Sequence, residues 1–515
     1  MLKSRASQGV DVVVVVIVFS YFLVAVLLPC FVLFSGAGGF SAIGGLLSSE
    51  SIRDAFLDSA TFALRFAIAV SLTAYFFAVS VEIRCKPRAK ALVVLLSLLL
   101  FLIFDSPLRT ILSAVSSRLQ MEPSIWFSIL PLWIKSFALF SLFIILSVSG
   151  GERLVEVSVN QGGSPSSFWR TTLLLRARNS LSLVFCLALI VGFGAAGETA
   201  IEVPDYRSLS DLLHSSMGDT DSRGRAFGLA LYIFLASVLV LLLLTALLPK
   251  PHIGQDSGVL SATWWDACHR PWMLPVSVAT PLALFAVVAV MLWQSRSASP
   301  ELVAHSLLSE RAVESIVASL ATSLVALGIG AALAYRTTVR ASRFGGAMVV
   351  IAILPLLLPA APYAVAGAEV KKWAQSALGL DSMWLVWAYA FLFWKAFAIS
   401  YLILLAAFNH GRGVLESAAV NLGASIWETF WRVTFPRTWP MIAAAWTLAF
   451  ASQITDSEYS RYLSGSHSSL GTWLVDGMIY QNDPARWAVS AFLILSFGAA
   501  LSVVVFAWAR LSNRA

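Results

Sequence analysis

Charge is scarce in this chain. Asp, Glu, Lys and Arg make up 12% of its 515 residues, whereas 58% are apolar and the mean hydropathy is +0.81. A water-soluble globule is excluded, because that much apolar surface exceeds what one core can hide. Cysteine is sparse as well. Cys30, Cys85, Cys186 and Cys268 show no CxxC spacing, which argues against a thiolate metal cluster and against a disulfide framework. Two of them lie inside apolar runs, where a thiol packs as a small hydrophobe. No G-x-x-x-x-G-K-[ST] phosphate loop, HExxH, GxSxG or paired-carboxylate pattern occurs, so no intrinsic catalysis, metal site or ATP hydrolysis is expected of this polypeptide.

Long apolar runs are what the chain has in abundance. About twenty residues at 1.5 Å each cross a hydrocarbon layer of roughly 30 Å, and a helix satisfies its own backbone groups there. Twelve such runs are predicted, near 11–34, 54–81, 91–114, 125–149, 179–197, 226–248, 273–294, 313–335, 345–368, 384–408, 438–454 and 487–509. The expected fold class is therefore all-α, a polytopic membrane protein of twelve transmembrane helices. The first run exceeds a signal-peptide core and lacks a clear cleavage pattern after it, so it is expected to stay as an anchor. Twelve crossings put both termini on one side. Basic loops such as Arg84, Lys86, Arg88 and Lys90, or Arg336, Arg340 and Arg343, assign that side to the cytoplasm, while Glu202, Asp205, Asp211, Asp219 and Asp221 fall opposite. The net charge of +7 follows from this asymmetry, and no nucleic-acid partner is implied.

Sliding the chain against itself by about 260 residues reveals a repeat. Leu132, Lys135, Phe137, Ala138 and Leu142 recur as Leu392, Lys395, Phe397, Ala398 and Leu402. Asn160 and Gly162 recur as Asn421 and Gly423, Phe168-Trp169-Arg170 as Phe430-Trp431-Arg432, and Glu198 as Glu458. Two six-helix halves are predicted, residues 1–255 and 273–515, joined by a cytoplasmic linker over 256–272. An even number of helices per half keeps orientation, so the halves are parallel and related by a pseudo-twofold along the membrane normal.

Between two apolar runs lies LESAAVNLGASIWETFWRVTFP, residues 415–436, polar and interrupted by Gly423. Glycine there permits a sharp turn or a close backbone approach. Ser417, Ala418, Ala419, Gly423, Val433, Phe435 and Pro436 are spaced as in the Glu-Ala-Ala loop of binding-protein-dependent ABC importer permeases, which the segment resembles; the acid stands one place early, at Glu416. A degenerate copy over 152–175 keeps Glu156 and Gly162, with Val157 and Ser158 replacing the alanines. The fused arrangement looks most like the ferric-iron and thiamine permease group. The resemblance implies a channel subunit in the bacterial inner membrane, with no cofactor of its own. The implied partners are a homodimer of cytoplasmic ATPases that binds ATP and Mg, gripping the two loops as coupling helices, and a periplasmic substrate-binding protein. A 6+6 secondary carrier driven by an ion gradient is the alternative.

Ionisable groups inside the apolar runs are candidates for a translocation path or for structural ion pairs. They are Arg65, Lys135, Glu198, Lys395, Asp456 and Glu458. An interhelical bridge is the default for Arg65, and structural bridging or snorkelling is favoured for the two lysines. Glu198 and Glu458 lean toward a gate. Pro362, with Pro355 and Pro359, is expected to distort the ninth helix, because each proline removes a backbone donor.

Overall fold

A computed structural model describes residues 28–37, 48–84, 181–193 except 183, 209–217, 223–247, 273–339, 360–378, 384–411, 418–456 except 420, 469–476 and 483–512, with isolated positions between 129 and 144. These residues are almost all helical, with short turns between helices and no strand among them. The helices are α1 (Leu28–Gly36), α2 (Glu50–Arg84), α3 (Val184–Phe193), α4 (Leu209–Met217), α5 (Arg223–Leu247), α6 (Met273–Gln294) and α7 (Pro300–Leu307). They continue with α8 (Glu310–Val339), α9 (Ala360–Leu378), α10 (Trp384–Gly411), α11 (Ile426–Thr429), α12 (Phe435–Ile454), α13 (Leu470–Asp476) and α14 (Pro484–Ser512).

Three spans are long and apolar enough to cross a bilayer, Glu50–Ala78 in α2, Glu310–Tyr335 in α8 and Pro484–Val504 in α14. Shorter apolar stretches occur in α3, α5, α6 and α10. The ninth helix differs from the 345–368 expected. Its described part runs from Ala360 to Leu378, and Pro362 is buried within it. The hydropathy boundary misses the end because Glu369 and Lys372, paired at 3.1 Å, continue the helix with polar residues. Pro355 and Pro359 lie outside the described residues.

The helices α2 and α8 are buried and exposed in the same rhythm when shifted by 256 residues. Ser59, Ala63, Ala67 and Ala74 face inward as do Ser315, Ser319, Ser323 and Gly330, while Leu57, Leu64 and Ile68 face outward as do Val313, Leu320 and Leu324. Small inward residues let neighbouring helices approach closely, as they do in bilayers. At Gly330 an added Cβ would meet Ser400 Cβ and Tyr401 N at 3.2 Å each. The same interhelical hydrogen bond also appears twice. Leu209 N donates to Ser59 Oγ at 2.9 Å, and Leu470 N donates to Ser315 Oγ at 3.1 Å, so α4 and α13 each hang their first amide on a serine of the long helix.

One large buried cluster draws on both ends of the chain, from Leu33, Phe66 and Phe234 to Tyr401 and Phe408. A second gathers around Met291, Leu448 and Trp487. Packing joins segments distant in sequence, since α6 lies against α2, and α9 lies against α1 and α5.

Candidate functional site: a glycine corner and a charged seam

The first candidate is the corner after Ala419. Ala418 and Ala419 are helical, and Leu422 N donates to the Ala418 carbonyl at 2.9 Å. Gly423 then adopts φ +90°, and Ala424 N reaches back to the Ala419 carbonyl at 3.0 Å, the six-to-one bond of a Schellman helix stop. A Cβ at Gly423 would meet nothing within 4 Å, so the glycine serves the turn rather than a close approach. Two residues later a new helix starts on a reciprocal cap. Ser425 N donates to Glu428 Oε2 at 2.9 Å, and Glu428 N donates to Ser425 Oγ at 3.2 Å. These bonds, the Ser425 N–H first and then its hydroxyl, hold the Glu428 carboxyl below its ordinary range, with Arg432 adding to the effect.

The chain then passes through a π-helical turn, Phe430–Thr434, into α12. Pro436 follows directly in the first turn of α12. It has no N–H for the Arg432 carbonyl and its ring crowds that group, a conflict that a wider turn relieves. Pro436 therefore continues the helix rather than ending the segment. Phe430 fastens the corner to the bundle, its ring centroid 5.0 Å from Tyr335 of α8 and 6.5 Å from Phe408 of α10. Leu422 stands out at the tip, 88% exposed.

The second candidate lies at the opposite end of α12. Lys395 Nζ of α10 bonds Asp456 Oδ1 at 3.2 Å; the aspartate side chain is 2% exposed and the lysine 26%. One turn earlier on α12, Gln453 Oε1 accepts from Thr322 Oγ1 of α8 at 2.6 Å. Asp456 is also fixed by its backbone, because Gly471 of α13 lies so close that a Cβ would fall on the Asp456 carbonyl oxygen and 2.9 Å from its carbon.

The predicted residues are distributed as follows. Ala418, Ala419 and Gly423 form the corner, and Lys395 and Asp456 meet. Arg65 is exposed on the apolar outer face of α2, and no ion pair involves it among the described residues. Glu156, Gly162, Glu416, Ser417, Lys135, Glu198 and Glu458 lie outside the described residues. Sequence reading missed Ser425 and Glu428, whose S-x-x-E spacing was the available signal, and Thr322 and Gln453, which carry none. No group of three or more potential metal ligands occurs among the described residues. No family model, curated protein or solved structure matches the chain.

Proposed function

We propose that this chain is the membrane-spanning permease of an ATP-driven, binding-protein-dependent importer in a bacterial inner membrane. It moves a small solute by alternating access of two fused halves. ATP and Mg are bound by a separate pair of ATPases, and the Gly423 corner is the handle that one of them grips. The observation that carries this reading is the corner itself. A helix stop and a reciprocal cap two residues apart make a rigid, exposed elbow, and Phe430 ties that elbow to α8 and α10. A push on Leu422 is thereby delivered to three long helices at once. The paired serine contacts of Ser59 and Ser315, and the matching burial of α2 and α8, support two halves of one design.

Affinity purification of the tagged chain from its own membranes tests the reading. An ATPase subunit bearing a phosphate loop is expected to accompany it, and ATP is expected to drive uptake when both are reconstituted with the cognate binding protein. Uptake by the chain alone on an ion gradient would contradict it.

A further inference from the structure

Where α8, α10 and α12 meet, the second half carries polar groups that the first half replaces. At the offsets of 256 and 261 set by the paired serine contacts, Ser319 and Thr322 become Ala63 and Phe66, and Gln453 and Asp456 become Gly192 and Ala195. The helix contact itself is kept in the first half, since a Cβ on Gly192 would lie 2.9 Å from Ala63 Cα and 3.0 Å from the Phe66 ring. Only the chemistry differs.

The bonding capacity left over in the seam is mainly of the donor kind. Gln453 Nε2 and Ser319 Oγ are buried, 1% and 0% exposed, without a hydrogen-bond partner. Gln453 lies in the last turn of α12 and Asp456 just past its end, its N–H reaching back to the Gln453 carbonyl at 3.4 Å. Ser319 and Thr322 sit one turn apart on α8, so the Thr322–Gln453 bond gathers all four with Lys395 into one patch. The Lys395 ammonium has three donors and uses one on Asp456. The exposed member of that pair is the cation, whereas the carboxylate is turned inward. Solvent reaches the Lys395 ammonium, and the Gln453 amide N–H group and the Ser319 hydroxyl lie buried behind it.

We propose that this seam is a binding site, present in the second half alone, for an oxyanion group such as a carboxylate, sulfate or phosphate. It rests on the transport reading only in making that oxyanion part of the cargo. Binding at the seam does not depend on whether an ATPase docks at the Gly423 corner, so the two can fail separately.

The test uses the full-length chain with Cys30, Cys85, Cys186 and Cys268 replaced by serine and a single thiol at Ser319→Cys. The probes are methanethiosulfonate reagents, one bearing an anionic sulfonate and one a cationic trimethylammonium. After correction for their rates on free cysteine, the anionic reagent is expected to react about tenfold faster, because a charged cleft with low-dielectric walls concentrates the opposite charge. Adding Lys395→Gln with Asp456→Asn, which removes both charges at nearly constant shape, is expected to abolish that preference. Gln453→Cys serves as a second reporter and is expected to give the same ranking. Equal or faster reaction of the cationic reagent overturns the proposal, as does a lack of reaction at both thiols, the result for a seam that only encloses fixed water.

Discussion

At Gly423 the cost of a side chain is torsional. The backbone stands at φ +90° with open space around it, so Gly423→Val meets no clash but forces a β-branched residue into a left-handed turn, at roughly 1–2 kcal/mol. The expected outcome is a frayed corner on an intact bundle. Amide exchange should rise over 421–429 with little change in melting temperature, and in the reconstituted transporter ATP hydrolysis should continue without uptake. Normal coupled uptake would count against the docking role. Glu428 gives the corner a pH dependence. Its carboxyl is held below the ordinary range, so the cap is complete at pH values above that range and is lost as pH falls through the lowered value. Exchange at Thr429 N, which is bonded to the Ser425 carbonyl, is expected to accelerate, after correction for intrinsic rates, as pH falls through that lowered value in the wild type. In Glu428→Gln that acid-induced step should be missing. At the other end, Lys395→Met leaves the Asp456 carboxylate buried without its cation, a loss on the order of 3 kcal/mol. Adding Asp456→Leu is expected to restore much of it, which a double-mutant cycle of thermal denaturation measures.

Among the elements, two glycines separate packing from propensity. Gly471 opens α13 against the Asp456 carbonyl, and Ile454 O lies 2.9 Å from where its Cβ would be, so Gly471→Ala must push α13 away from the end of α12. Gly328 of α8 has nothing within 4 Å, so Gly328→Ala is expected to stabilise the helix by about 0.5–1 kcal/mol. Opposite shifts in melting temperature are the expected pair of results. The long helices were legible because apolar composition over twenty residues is a strong signal; the run at 273–294 coincides with α6, and that at 384–408 falls three residues short of the end of α10. The short helices α4, α7 and α13 were not, since hydropathy averages over more residues than they contain. Their starts were nevertheless written locally: Ser299 caps α7 through Leu302 N at 3.2 Å with Pro300 next to it, and Ser469 accepts from Thr472 N at 3.3 Å in α13. The ion pair was the least legible feature. Lys395 and Asp456 both stood out as ionisable groups in or beside apolar runs, but nothing in the sequence paired them across a separation of 61 residues. Only the angle and register of α10 and α12 bring the two together.

In the whole molecule, segments distant in sequence interlock, with α6 packed on α2 and α9 on α1 and α5. Movement of one of these helices therefore has a route to distant parts of the chain. The corner and the charged seam lie beyond opposite ends of α12, whose twenty residues span about 30 Å at 1.5 Å per residue. Under the proposed function that helix links the site of force to the site of the solute. A photo-crosslinking amino acid at Leu422, the most exposed large apolar side chain of the corner, tests the link at its origin in intact cells. A covalent adduct between this chain and an ATPase bearing a phosphate loop, lost when the ATPase is deleted, is the expected result. Leu422 that yields no protein adduct, while an ATPase crosslinks elsewhere or none associates, would contradict it.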